Sequence, residues 1–286
     1  MIDLADTVAD LLDHEVRSLV PVRGGDVAEA FRVTLADGSA VFAKAHPTAP
    51  PGFFTTEALG LSWLRDAGSA PVPEVLAVSE EPAVLVLAWI EPGRPRPSTE
   101  VDFGRELAAL HAAGAPSFGR EDRRTTGSRR LPNDPYATWV ESYAENRLRP
   151  LVRLAEETEA LPRSDIRDLE VVADRLAELG GPPEPPARLH GDLWAGNRLV
   201  GAGGESWLID PAAHGGHREF DLAMMRLFGG FDHPCFAAYA EVTPLADGWE
   251  QRVPLHQLAP LVVHAIKFGG GYEAATGQAL DAVLHR

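Results

Sequence analysis

A single cysteine, Cys235, in 286 residues excludes a disulfide within the chain and any cysteine-rich metal site. Lysine is almost as scarce, outnumbered 24 to 2 by arginine, so Lys44 and Lys267 stand where the usual cation of this chain was not used. Positive charge as a whole is short: 26 Lys and Arg face 42 Asp and Glu, a net charge of −16. That balance argues against nucleic acid and anionic membranes as partners, because phosphate contacts need clustered basic residues. Long apolar runs are missing too. The strongest, residues 83–90, is far below the roughly 20 residues that a bilayer-spanning helix needs. The opening Met-Ile-Asp-Leu-Ala-Asp lacks a basic-then-apolar leader, and a cytoplasmic location is the expectation. With 45% apolar residues, the chain has enough material for a sizeable core.

Apolar positions at Leu4, Val8, Leu11, Leu12, Val16 and Leu19 recur at helical spacing, predicting a short opening helix. Paired glycines, Gly24 and Gly25, then break a strand edge. Residues 30–35 alternate, Asp37-Gly38 turns, and Ala40-Val-Phe-Ala-Lys44 returns, which is a hairpin signature. A compact ammonium on a flexible stem suits phosphate contact, and Lys44 is expected to serve that use. Thr55 or Thr56 is placed to cap a helix to about Ala67, with Leu59, Trp63 and Leu64 inward. Glu57 falls in its first turn, where it either favours the helix dipole or pairs with Lys44. Two further strands, near 72–78 and 83–90, complete a sheet of about five. The proline-rich Glu91-Pro-Gly-Arg-Pro-Arg-Pro97 then reads as a linker between an N-terminal lobe at 1–90 and a larger, mostly helical one at 98–286. The arginine-rich stretch 120–130 reads as a surface loop or, alternatively, as a contact to substrate or nucleotide. His111 reads as a packed residue on an apolar helix face.

The most informative stretch is His190-Gly-Asp-Leu-Trp-Ala-Gly-Asn197 followed by Trp207-Leu-Ile-Asp-Pro211. It has a His-x-Asp, an Asn five residues after that Asp, and a second Asp eighteen residues after the first. Phosphoryl transfer asks for few parts: a carboxylate that takes the proton of the attacking hydroxyl, and an Asn and an Asp that hold magnesium against the phosphates. Asp192, Asn197 and Asp210 have the order and spacing of those parts. Only three Asn occur in the chain, so one at the prescribed place is informative.

These residues resemble the fructosamine kinase (ketosamine kinase) family, a branch of the protein-kinase-like fold. The resemblance is carried by His190–Asn197, by Ile209-Asp-Pro-Ala212, and most specifically by Gly215-Gly-His-Arg-Glu-Phe-Asp-Leu-Ala-Met-Met225 with Leu227-Phe-Gly-Gly-Phe231. It implies an α+β, bilobal fold and a kinase that uses ATP and Mg2+ to phosphorylate a hydroxyl of a sugar amine formed by glycation. The adduct, on a small amine or a protein, then releases its amine. It further implies that Lys44 and Glu57 position the phosphates, and that backbone groups of Ala88, Trp89 and Ile90 hold the adenine. Asp221 would brace the catalytic loop, while Trp194 and His264 would wall the sugar site. The chain departs from protein kinases in lacking a Gly-x-Gly-x-x-Gly loop, having only Gly24-Gly25 there with Asp26 beside them.

Two other readings stand. Another small-molecule kinase of the same fold, acting on an aminoglycoside, an amino alcohol or a hydroxy amino acid, would carry the same polar parts; only the 215–231 string separates it. A pseudokinase scaffold would ordinarily lack one of the lysine, base or metal positions, and none is missing here.

Overall fold

A computed structural model of the chain describes residues 3–22, 28–121, 125–126 and 131–285. The paired glycines with Asp26, and most of the arginine-rich stretch 120–130, lie outside the described residues. The chain divides into two compact units, Met1–Thr99 with Asn197–Pro211, and Glu100–Gly196 with Ala212–Arg286.

The first unit begins with α1 (Leu4–Leu12), capped at its N-terminus by the Asp3 carboxylate. An antiparallel sheet follows from β1 (Val16–Pro21), β2 (Glu29–Leu35), β3 (Ala40–Ala45), β4 (Val75–Glu80) and β5 (Ala83–Ala88), in the order β1-β2-β3-β5-β4. Strand periodicity decides what each face carries. Val41, Ala43 and Ala45 of β3 point into a core with Val33, Leu35, Val84, Val86 and Val8 of α1. Lys44, one residue out of that register, is thereby turned to the opposite face.

Helix α2 (Phe53–Arg65) lies between β3 and β4 in sequence. Its start differs from the capping expected from Thr55 or Thr56. Gly52 occupies the N-cap without a side-chain bond, and Glu80 at the end of β4 accepts from Gly52 N (2.6 Å), Thr55 N (3.3 Å) and the Thr55 hydroxyl. A carboxylate from a neighbouring strand thus satisfies amides that a local cap usually takes. The buried stripe is Phe54, Ala58, Leu61 and Leu64, and Leu59 is exposed. Leu64 points inward as expected and Trp63 is partly buried, but Leu61 takes the place expected of Leu59 because the sheet, not the local pattern, sets the inward direction. The hairpin of β9 (Arg198–Val200) and β10 (Ser206–Leu208), numbered in chain order, completes this unit.

The second unit is mainly helical. It contains α3 (Thr99–Ala112, whose first residue belongs to the first unit), α4 (Trp139–Tyr143), a π-helical turn at Ala144–Leu148, α5 (Arg149–Glu157), α6 (Arg163–Asp174) and α7 (Leu176–Leu179). After the catalytic-type stretch come α8 (Glu219–Phe228), α9 (His233–Val242), α10 (Trp249–Phe268) and α11 (Gly271–Leu284). Short strands add a pair at Thr125–Thr126 (β6) and Leu131–Pro132 (β7) and a pair formed by β8 (Ala187–Leu189) with β11 (His214–Gly216). Leucines of α5, α6, α10 and α11 form one core with Leu189 and Phe220. No helix among the described residues is long and apolar enough to cross a membrane.

Candidate active site

In the first unit, β3 delivers Lys44 and α2 delivers Glu57, which stands one turn into the helix because α2 begins at Phe53, and not in the first turn as expected. Their ion pair is 2.8 Å, with the two side chains 11% and 14% exposed. Asp210 joins the same ammonium on its other side and is the more open of the two carboxylates, at 35%. The Lys44 ammonium is buried, which opposes its charge, yet Glu57 and Asp210 outweigh that cost and hold its pKa above the ordinary value. Glu57 is pushed the other way for a carboxyl. Burial, with the Asp210 charge adding to it, raises it to about 7 even against the pull of the ammonium. One cation shared by two carboxylates leaves a surplus of negative charge once Glu57 is ionised, which its raised pKa places at about pH 7 and above.

The β9–β10 hairpin explains why Asn197 and Asp210 are spaced as they are. Its register pairs Leu208 with Arg198, so Ile209 falls opposite Asn197, and Ile209 N donates to Asn197 O at 3.0 Å. Asn197 Nδ2 reaches the Asp210 carbonyl at 3.5 Å. Asp210 itself has φ 53°, a left-handed conformation that few non-glycine residues adopt. Strain of this kind persists where the surroundings demand it and is common at functional sites. The Asn197 side chain thus lies against the Asp210 backbone, and an amide oxygen and a carboxylate are the donor types that magnesium takes. Ala88 ends β5 with its N–H on Glu74 O at 2.9 Å. Trp89 and Ile90 leave the sheet half-buried, the Trp89 indole donating to Glu91 and lying under the Arg32 guanidinium.

In the second unit, β8 ends at Leu189 and the chain turns through His190 and Gly191 into Asp192. The turn is held from outside its own sequence. Asp221 of α8, fully buried, accepts from His190 N at 2.7 Å and Gly191 N at 2.9 Å. His111 Nε2 of α3 donates to the same carboxylate at 3.2 Å, and its Nδ1 meets the Tyr239 hydroxyl at 2.8 Å. Burial alone would raise the Asp221 carboxyl, but the His111 bond and charge prevail and hold it low. Gly191 has φ 80°, and a Cβ there would overlap the Ala212 carbonyl oxygen, so no other residue fits the turn. Trp194 stands two residues after Asp192 with 41% of its surface exposed, and the bare Gly196 leaves room for its indole. His264 of α10 is half-buried, its Nδ1 on Pro260 O at 2.7 Å.

The residues expected from sequence therefore fall into two sets. Lys44, Glu57, Asn197 and Asp210 come together in the first unit. Asp221 meets the loop that carries Asp192 in the second. Sequence reasoning missed the reach of His111, because its partner lies 110 residues away and an apolar helix face gave no hint of it. It also missed a buried cluster around Glu219. Arg252 forks onto both Glu219 oxygens at 2.9 Å and 2.5 Å, and His256 Nε2 lies 3.4 Å from Oε2. Ligand-type atoms of His217, Glu219 and His256 lie within 4.8 Å of one another, but the guanidinium already occupies the carboxylate.

An antiparallel five-stranded sheet followed by a mostly helical remainder is the protein-kinase-like fold. An aminoglycoside phosphotransferase shares that fold with a TM-score of 0.63 over 99% of this chain and 100% of its own, at 15% identity. The chain belongs to the fructosamine kinase family, whose description matches residues 4–286. A protein of Enterococcus faecium assigned as a ketoamine kinase is 34% identical over 281 residues, 98% of this chain and 99% of that one. The crystal structure of a Thermobifida fusca protein assigned as a fructosamine-3-kinase is 43% identical, with a TM-score of 0.93 and 99% of each chain covered. The protein is accordingly an enzyme, a phosphotransferase with a sugar hydroxyl as acceptor.

Proposed function

We propose that this chain is a magnesium-dependent kinase that transfers the terminal phosphoryl group of ATP to a sugar hydroxyl of ketosamines, the fructosamine- and ribulosamine-type adducts of glycation, and so initiates their removal from amines. The observation that carries this reading is the Lys44–Glu57–Asp210 cluster, a buried ammonium held by two carboxylates, with one negative charge in excess once Glu57 is ionised. A site built only for stability would balance its charges, because an unpaired buried charge is costly. An excess beside Asn197 invites a divalent cation, and an ammonium at the same place invites phosphate.

Each residue then has a task. Asp210 and the Asn197 amide oxygen hold the metal. Magnesium, when bound, draws charge from the phosphates and lowers the cost of transfer. Lys44, fixed by Glu57, positions the phosphates, and the backbone at Ala88, Trp89 and Ile90 takes the adenine. Asp192 orients the acceptor hydroxyl and receives its proton. Asp221, by accepting from two successive amides of the loop, keeps that carboxylate in place. Trp194 and His264 offer ring faces to the sugar, whose C–H faces pack well on aromatics. The same reading makes the protein cytoplasmic, where ATP and its substrates meet.

ADP release tests this with a panel of fructosyl and ribulosyl amines, an aminoglycoside and choline, each with and without magnesium. Turnover on the ketosamines alone, requiring magnesium, is expected. Turnover confined to the aminoglycoside or choline would replace the reading, and none on any acceptor would make the chain a nucleotide-binding scaffold. Asp192→Asn should cut kcat by about 10² to 10⁴-fold, the usual worth of a positioned general base, with nucleotide binding kept.

A further inference from the structure

Five aromatic rings of the second unit form an unbroken strip that starts two residues after Asp192. Trp194 contacts Phe228 at 6.2 Å between ring centroids, Phe228 contacts His264 at 5.0 Å, and His264 contacts Phe268 at 5.6 Å and Tyr272 at 5.0 Å. The middle rings are half-buried, while both ends are open. Phe268 is 54% exposed, the highest value of any large apolar side chain among the described residues. It is the last residue of α10, and two left-handed glycines, Gly269 and Gly270, turn the chain away before Tyr272 opens α11. An apolar ring left half in water contributes little to the core and favours a ligand that would cover it.

A charge stands at that end of the strip. The Lys267 ammonium lies 4.7 Å from the Phe268 ring centre, a cation–π distance. Lys267 is one of only two lysines in a chain that meets its other cationic needs with arginine. The end near Asp192 suits the reacting sugar; the end at Phe268 combines an open ring, a second ring and a cation. An amine bearing a carboxylate and an apolar group has that pattern.

We propose that Phe268, Tyr272 and Lys267 form the subsite for the amine half of the substrate, and that this half is a free amino acid with an apolar or aromatic side chain. Its side chain lies on Phe268 and its carboxylate meets the Lys267 ammonium. The inference rests on the ketosamine-kinase reading above and specifies which ketosamines that site prefers.

The test measures kcat and KM for ADP release with deoxyfructosyl and deoxyribulosyl adducts of phenylalanine, of phenylalaninamide and of methylamine. The enzymes compared are the parent, Lys267→Gln, Phe268→Ala and Phe268→Leu. The parent should show its lowest KM for the phenylalanine adduct. Lys267→Gln should raise that KM about 10-fold, towards the amide's, while leaving the amide within two-fold; one charge-assisted contact is worth that much. Phe268→Ala should raise KM for both aromatic adducts about 10-fold and leave the methylamine adduct unchanged, with Phe268→Leu intermediate and kcat steady throughout. Equal KM changes across all three adducts, or none, would overturn the subsite while the ketosamine reading stands. ADP release with none of them, from a parent that still binds ATP with magnesium, would overturn the ketosamine reading and the subsite with it.

Discussion

Two buried charge clusters of this protein are built from the same kinds of group and differ in their arithmetic. In the first unit one ammonium serves two carboxylates, and the side chains keep 11%, 14% and 35% exposure, rising towards Asp210. In the second, one guanidinium serves one carboxylate through two bonds, with side-chain exposures of 7% and 1%. The histidines around Glu219 add no charge there, since burial pushes His217 down, to about 3, and lowers His256 as well. Glu219 would be raised by burial, but the adjacent His256 and the Arg252 fork hold it at about 2. A balanced, sealed pair asks for nothing further and works as architecture between α8 and α10. An unbalanced, partly open one has a place for a ligand. Burial and ion pairing alone do not separate the two; the surplus charge and the access do.

The largest effect that separates them is on stability. Arg252→Met should leave the Glu219 carboxylate buried without its partner and cost about 3 to 5 kcal/mol, read as a loss in urea midpoint at constant m-value. The fraction that stays folded should turn over at the parental rate. A stable variant with altered kcat would move the Glu219 cluster to the functional side of the comparison.

Acid should act chiefly on the second unit. Burial, with the Arg147 charge adding, holds His214 at about 3, and His217 matches it. In the unfolded chain both titrate near 6.5, so as pH falls below that value the unfolded state binds protons that the folded state refuses. The contribution of the two histidines is therefore full above pH 6.5 and falls from there towards pH 3, by at most about 1.4 kcal/mol per pH unit for each, while Glu57, raised to about 7, offsets one of them between pH 7 and 4.5. Glu219, depressed from 4.5 to about 2, adds a loss of the same sign below pH 4.5. Urea midpoints between pH 7.5 and 4.5 check this, and a flat profile across that range would contradict it.

A smaller stability effect with a large kinetic one is expected at Lys44→Arg. The cation is kept, so stability should change by less than about 1 kcal/mol. The broad planar guanidinium cannot occupy the point between Glu57 and Asp210 without displacing one of them, and turnover should fall clearly. Adding Glu57→Gln should then cost less than in the parent, because the two residues share one interaction. Parental kinetics in Lys44→Arg, or additive losses in the double variant, would reduce Lys44 to a strand residue.

Much of the first cluster was legible before any coordinates. Lys44 stands out because the composition avoids lysine, and the separation of thirteen between Asn197 and Asp210 is a hairpin's length with strand-like flanks. What local sequence could not carry was partnership at long range. Glu80 caps α2 from β4, 28 residues on, and this displaced the expected threonine cap. Arg252 finds Glu219 across 33 residues, and His111 finds Asp221 across 110. The 197–211 segment joins the first unit with no change of composition to mark it. Periodicity reports which residues share a face, but a second element decides which face is inward, as Leu59 and Leu61 of α2 illustrate.

The unbalanced cluster is tested most directly at Asp210. Thermal unfolding of the parent and of Asp210→Asn would be followed with no ligand, with ATP, and with ATP plus magnesium. Removing the surplus carboxylate should leave the ligand-free protein as stable as the parent or slightly more so, since a ligand site commonly carries strain that the empty fold does without. The parent should gain several degrees from ATP only when magnesium is present, by mass action on the folded state. In Asp210→Asn that magnesium-dependent gain should vanish. A variant that keeps the full gain, or that unfolds far below the parent without ligand, would show Asp210 to be part of the architecture and the surplus charge to have no ligand to serve.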